Sequence, residues 1–169
     1  MKRLLLMRHA KSDWDASYDA DRQRPLNRRG IASAKTMGQA LSTAGEIPDR
    51  ILSSPAVRAR TTAELAARAG GWDVDIQIRD ELYGASPGEV LKTINAAGGN
   101  SERLLVVGHE PTTSQTVTLL CGARVRVATA TVIGLDLAPD DWKRLEPDST
   151  TLAYLLGPRL FPKMARPIA

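Results

Sequence analysis

The chain has 169 residues, 43% hydrophobic and 25% charged, an ordinary make-up for one soluble globular domain. Its net charge of +4 is spread without a long cationic run and without interleaved aromatics, which argues against a nucleic-acid platform. A single cysteine, Cys121, excludes an intrachain disulfide, and no window approaches the roughly 18 apolar residues of a membrane span, so a cytoplasmic protein is expected.

Leu4 to Met7 reads as a buried strand. Asn27 then caps a helix whose apolar face runs through Ile31, Ala34, Met37 and Leu41 and which stops at Gly45. Arg50 to Ser53 is the second strand. Ser54-Pro55 has the form of an N-cap with a first-turn proline, opening a helix with Val57, Leu65, Ala66 and Ala69 inward and Gly70-Gly71 as its stop. Val74 to Ile78 alternates at period two, as a half-exposed or edge strand does, and Ser86 to Glu89 has capping-box spacing before Val90, Leu91 and Ile94. Leu104 to Val107 is another buried strand, followed by a helix from about Pro111 to Cys121, which ends as a core residue before Gly122. Val132 to Leu137 and Thr151 to Leu156 complete the strands. Residues 1–157 form one expected domain, and 158–169 a proline-rich basic surface tail. The alternation predicts an α/β single-domain, three-layer sandwich with a mostly parallel central sheet flanked by helices.

The chain holds two histidines, and each follows the carboxyl end of a predicted buried strand. His9 comes after Arg8, and His109 after Gly108. Arg58 falls in the first turn after the strand that ends at Ser53. Ligand crevices of open α/β sheets lie beyond the carboxyl ends of the strands, so these turns converge on one edge. Guanidinium groups grip phosphate oxygens bidentately, and imidazole can attack phosphorus or stabilise transferred charge. The inferred ligand is a phosphoryl group.

Leu4-Leu5-Leu6-Met7-Arg8-His9-Ala10-Lys11-Ser12 resembles the signature strand and loop of the histidine phosphatase (phosphoglycerate mutase-like) superfamily. Ser54 to Ala63 is similar to its second motif, Val107-Gly108-His109-Glu110-Pro111 to its third, and Arg24-Pro25-Leu26 with Arg29-Gly30 to the segment opening its first helix. The resemblance covers about residues 3 to 156, and its Arg-His-Ala-Lys-Ser form is most like the compact phosphohistidine phosphatase branch. Ala10 stands where the larger mutases carry Gly, which requires a negative φ there. Asp15 falls where mutase-like relatives often have a phosphate-contacting Asn.

The resemblance implies a phosphoglycerate mutase-like fold and a two-step reaction. His9 is the nucleophile, Arg8, Arg58 and His109 surround the phosphoryl oxygens, and no metal or other cofactor takes part. Arg60 is the rival to Arg58. Glu81, beside Asp80, is the candidate for the acid that protonates the leaving group, and a phosphoramidate would need little help from it. Lys11, Ser12 and Arg24 extend the anion site, while Trp14 and Tyr83 are read as packing. The short chain leaves little sequence for a lid, which disfavours mutase activity. An exposed phosphoryl group on a protein, such as a histidine phosphotransfer domain, is the expected substrate, with a small phosphate ester as the alternative. A monomer without nucleic-acid or membrane partners is expected. From a different class, a phosphate- or phosphopeptide-binding module would keep the pocket and lose turnover. A cysteine phosphatase fails because Cys121 ends a helix and position 127 is Val.

Overall fold

In a computed structural model, which describes residues 1–138 and 140–161, strands and helices alternate as expected. The strands are β1 (Arg3–Arg8), β2 (Arg50–Ser53), β3 (Ile76–Ile78), β4 (Arg103–Gly108), β5 (Val132–Leu137) and β6 (Thr150–Leu156). The helices are α1 (Arg28–Thr43), α2 (Val57–Gly70), α3 (Pro87–Ala97) and α4 (Thr112–Cys121). The six strands form one sheet in the order β3-β2-β4-β1-β5-β6. β1, β4, β2 and β3 run parallel, and β5 and β6 are antiparallel additions.

Side chains of a strand alternate between faces, so an unbroken apolar run must be covered on both sides. That is the arrangement here. Leu5 and Met7 of β1 join Ile51, Leu105 and Val107 beneath α1 and α2, with Met37, Leu41, Ala59 and Ala63. Leu4 and Leu6 face the opposite layer, with Leu52, Leu104, Val106, Ile94 and Leu120. The three-layer sandwich is therefore built from alternate residues of the same strands. α1 and α2 pack unusually closely where Gly38 lies on Ala66, since a Cβ at Gly38 would sit 2.1 Å from the Ala66 carbonyl oxygen.

Several local expectations shift. Ile31 is not on the buried face of α1, which instead turns Gly30, Ala34, Met37, Gly38, Ala40 and Leu41 inward. Ser54 does not cap α2. That helix begins at Val57 after Ala56, and its buried face is Arg58, Ala59, Thr62, Ala63, Ala66 and Ala67, leaving Val57 exposed and Leu65 and Ala69 half-buried. β3 keeps only Ile76 to Ile78 of its expected span, at the sheet edge. Cys121 is half-buried against the α3–α4 core. Pro158 to Leu160 forms a short 3-10 turn, and the expected tail from 162 onward lies outside the described residues. Among the described residues no helix is long and apolar enough to cross a membrane.

Candidate active site

The sheet register sets the site. β1 and β4 are neighbours with Arg8 opposite Gly108, and β2 ends with Ser53 opposite Val107. Their carboxyl ends thus deliver His9, His109 and the start of α2 to one crevice of about 430 Å³. The His9 and His109 ring centroids are 5.2 Å apart. Arg8, Lys11, Ser12, Arg24 and Arg58 line the same crevice. Arg60 instead pairs with Glu64 on the exposed side of α2.

His9 is held in one tautomer. Its Nδ1 lies 2.7 Å from the Ala10 carbonyl oxygen, which can only accept, so Nδ1 carries the proton and the Nε2 lone pair is free. Ala10 avoids the left-handed region, so its methyl fits where the mutases carry Gly. Its backbone N–H donates to Thr62 Oγ1 at 3.0 Å, and that hydroxyl donates to the Arg58 carbonyl oxygen at 2.6 Å. The loop carrying His9 and the helix carrying Arg58 are thereby tied together. Gly30 backs the same loop, because a Cβ there would meet the Lys11 carbonyl oxygen at 2.1 Å.

His109 Nε2 lies 2.7 Å from Ser54 Oγ, and that oxygen also accepts from the Ala56 N–H at 3.3 Å. The hydroxyl has one proton to donate and a second lone pair, so Ser54 pairs with either ring tautomer of His109. The serine read locally as a helix cap is in fact committed to a histidine.

Asp21 is the residue that sequence reasoning missed. Its Oδ2 accepts from Arg58 Nη2 at 2.8 Å and from the Tyr83 hydroxyl at 3.0 Å, and its Oδ1 from Arg24 Nη2 at 2.8 Å. Arg58 Nη1 donates to the Asp21 carbonyl oxygen at 2.6 Å. Both arginines are buried, 5% and 6% exposed, so a counter-charge is needed to keep them there. Arg24 also donates to Ser12 Oγ at 3.0 Å and stacks on Trp14, 3.5 Å from the ring centroid. Trp14 and Tyr83, expected to be packing residues, line the crevice instead. The Nε atoms of Arg8, Arg24 and Arg58 are buried without an acceptor among the described residues.

Glu81 does not reach this crevice. It is exposed and lines a separate depression with Glu89 and Lys92, while Asp80 pairs with Arg22. Asp15 is exposed and also outside the crevice. Glu110 does line it, and its two oxygens accept from the backbone N–H and the hydroxyl of Ser114. Among the described residues no group of His, Cys, Asp and Glu is arranged to hold a metal ion.

Burial pushes the His9 pKa down from 6.5 to about 3, against the opposing pull of the Ala10 carbonyl, with His109, Arg58 and Arg8 adding to the fall. Burial, then the Arg58 charge, lowers His109 to about 4. Burial works to raise the Asp21 pKa, but its hydrogen bonds from Arg58 and Tyr83 outweigh this and hold the carboxyl below its ordinary value.

The histidine shifts set a stability profile. An unfolded chain takes up protons at ordinary imidazole values while the folded one does not, so stability falls as pH drops from about 6.5 towards 4. Allowing for solvent in the crevice, each histidine should cost roughly 1 kcal/mol per pH unit across that window. Urea denaturation at pH 7 and pH 5 measures it, and His9→Gln should flatten the slope. Equal slopes in wild type and His9→Gln would contradict the placement of His9.

Residues 4–93 match the Histidine phosphatase superfamily (branch 1). An uncharacterized protein of Mycobacterium tuberculosis is 45% identical over 108 residues, 64% of this chain and 65% of that protein, so the match spans just under two thirds of that relative. An uncharacterized protein of Mycobacterium leprae is 31% identical over 166 residues, covering 90% of this chain and 100% of that protein. A crystal structure from Agrobacterium tumefaciens, assigned to the phosphohistidine phosphatase SixA, superposes with a TM-score of 0.79 at 30% identity, covering 92% of this chain and 97% of that one. The family match takes in more than half of the sequence and includes both the His9 loop and the Arg58 helix, and the chain belongs to the histidine phosphatase superfamily.

Proposed function

We propose that the protein is a phosphatase that transfers a phosphoryl group to His9 and then to water. The observation that carries this reading is the neutral, tautomer-fixed His9 at the floor of a crevice lined by buried guanidinium groups. The Nε2 lone pair forms a bond to phosphorus while the bond to the leaving group breaks, and the leaving group keeps that electron pair. Arg8, Arg58 and His109 meet the charge on the phosphoryl oxygens, usually the largest contribution in such transfers. A water molecule then attacks phosphorus, the P–Nε2 bond breaks, and orthophosphate leaves. The guanidinium groups supply the positive charge, so no metal is part of the proposal.

The preferred leaving group is a nitrogen, as in protein phosphohistidine. An alkoxide needs a proton from the enzyme, yet Asp21 is held ionised by its arginines and both Glu110 oxygens are taken up at the start of α4. With Glu81 outside the crevice, no carboxyl group free of such hydrogen bonds lines it among the described residues. An imidazole takes its proton from solvent. The name carried by the Agrobacterium structure agrees with this reading.

The test is a panel of kcat/KM values for a phosphohistidine protein, p-nitrophenyl phosphate and aliphatic phosphate monoesters. The phosphohistidine protein should exceed the aliphatic esters by about a hundredfold, the usual worth of the general acid the esters lack. Equal values would indicate an esterase, and phosphate binding without turnover of any substrate would indicate a binding module.

A further inference from the structure

A second groove, about 580 Å³, opens beside the crevice, and Lys11 and Thr129 line both. Arg29 at the start of α1, Arg126 before β5 and Arg159 after β6 ring it with Lys11, and all four side chains are exposed. Among the described residues no carboxylate lines it and none of the four makes an ion pair. The phosphoryl reaction as derived uses none of the three arginines. Their proximity is tertiary, since they come from three separate segments, and like charges gathered without counter-charges repel. Such a cluster is relieved by an external anion.

The lining says which kind of anion. Arg24 and Arg58 in the crevice are buried, fixed and paired, as suits one compact phosphoryl group. The groove's cations are exposed and sit around apolar surface, with Leu155 37% and Leu160 65% exposed. Long mobile cations over apolar contacts fit an extended chain carrying both carboxylates and apolar side chains better than a second phosphate.

We propose that this groove is the docking site for a carboxylate-rich segment of the phosphoprotein substrate, running from the phosphorylated residue past Lys11 and across Arg29, Arg126 and Arg159. The inference rests on the phosphoprotein reading of the crevice and adds to it a charge requirement on the sequence around the phosphorylated residue. Electrostatic steering of this kind speeds encounter and aligns the phosphoryl group with His9.

A fluorescent octaglutamate peptide, titrated against the full chain, separates this from the phosphatase reading because binding needs no turnover. Saturable binding is expected, weakened about tenfold by Arg29→Glu/Arg159→Glu and again by raised salt. Arg126→Glu alone gives an independent reading should the double variant fold poorly. Glutamate at position 29 favours the start of α1, so folding there is not at risk. The double variant should likewise lose about tenfold in kcat/KM on an acidic phosphohistidine protein while hydrolysis of p-nitrophenyl phosphate stays within about twofold. Unchanged peptide affinity in both variants, or equal loss on both substrates, overturns the proposal. So does stronger competition by inorganic tripolyphosphate than by the peptide, which would make the groove a small-anion site. Peptide binding with no turnover of any substrate would leave the groove standing and remove the phosphatase reading alone.

Discussion

Replacing His9 by alanine should lower kcat/KM by about four orders of magnitude or more, the scale seen when a covalent nucleophile is removed. The reason is geometric. His9 and His109 both lie in the crevice, but His109 Nε2 is engaged by Ser54, whereas His9 spends only Nδ1 on the Ala10 carbonyl. The chain holds no third histidine to replace it. Rapid quenching of the wild type with labelled substrate should trap an acid-labile, base-stable phosphoryl group on one residue, and peptide mapping should locate it at His9. The alanine variant should trap none, while still binding tungstate through its arginines. Turnover that survives in His9→Ala, or label found on another residue, would overturn the mechanism.

Most of the fold was legible because its strands are short apolar runs that alternate between two buried layers. Leu4 to Met7 and Leu104 to Val107 could be little else in a chain with so few aromatics. The site was legible as far as it hangs on strand ends, since β1 and β4 present Arg8, His9 and His109 directly from the sheet. What could not be read came from segments without period. Asp21, Trp14 and Tyr83 sit in the irregular segments 9–27 and 79–86, where only the folded chain shows which side chain faces the crevice. Glu81 and Tyr83 lie in one tight turn, yet Tyr83 reaches the crevice and Glu81 does not. Ser54 misled for a different reason: a local capping rule lost to a hydrogen bond with a histidine 55 positions away. One signal for Asp21 was available. It stands next to Arg22 and three residues before Arg24, and an acid among arginines is a natural counter-charge.

Removal of the Arg58 guanidinium should cost about 10²- to 10³-fold in kcat/KM, the usual worth of one preorganised donor at a developing oxyanion. Arg58→Lys should recover little of it. A lysine offers one ammonium where the fork of Arg58 holds both the carbonyl and the carboxylate of Asp21 and keeps a further N–H on each of those nitrogens. Asp21 makes this result informative because it acts on the same charge in two ways. It keeps Arg58 and Arg24 buried and aimed, but its own negative charge competes with the phosphoryl oxygens for them. Asp21→Asn should therefore lower Tm, because two buried cations lose their counter-ion. The same change should make the rise in Tm on adding tungstate larger than in the wild type, because the anion restores the balance. Combined with Arg58→Ala, Asp21→Asn should add little further loss in kcat/KM, since the residue acts through the arginine it holds. A fully additive double-mutant cycle would mean that Asp21 touches the substrate itself.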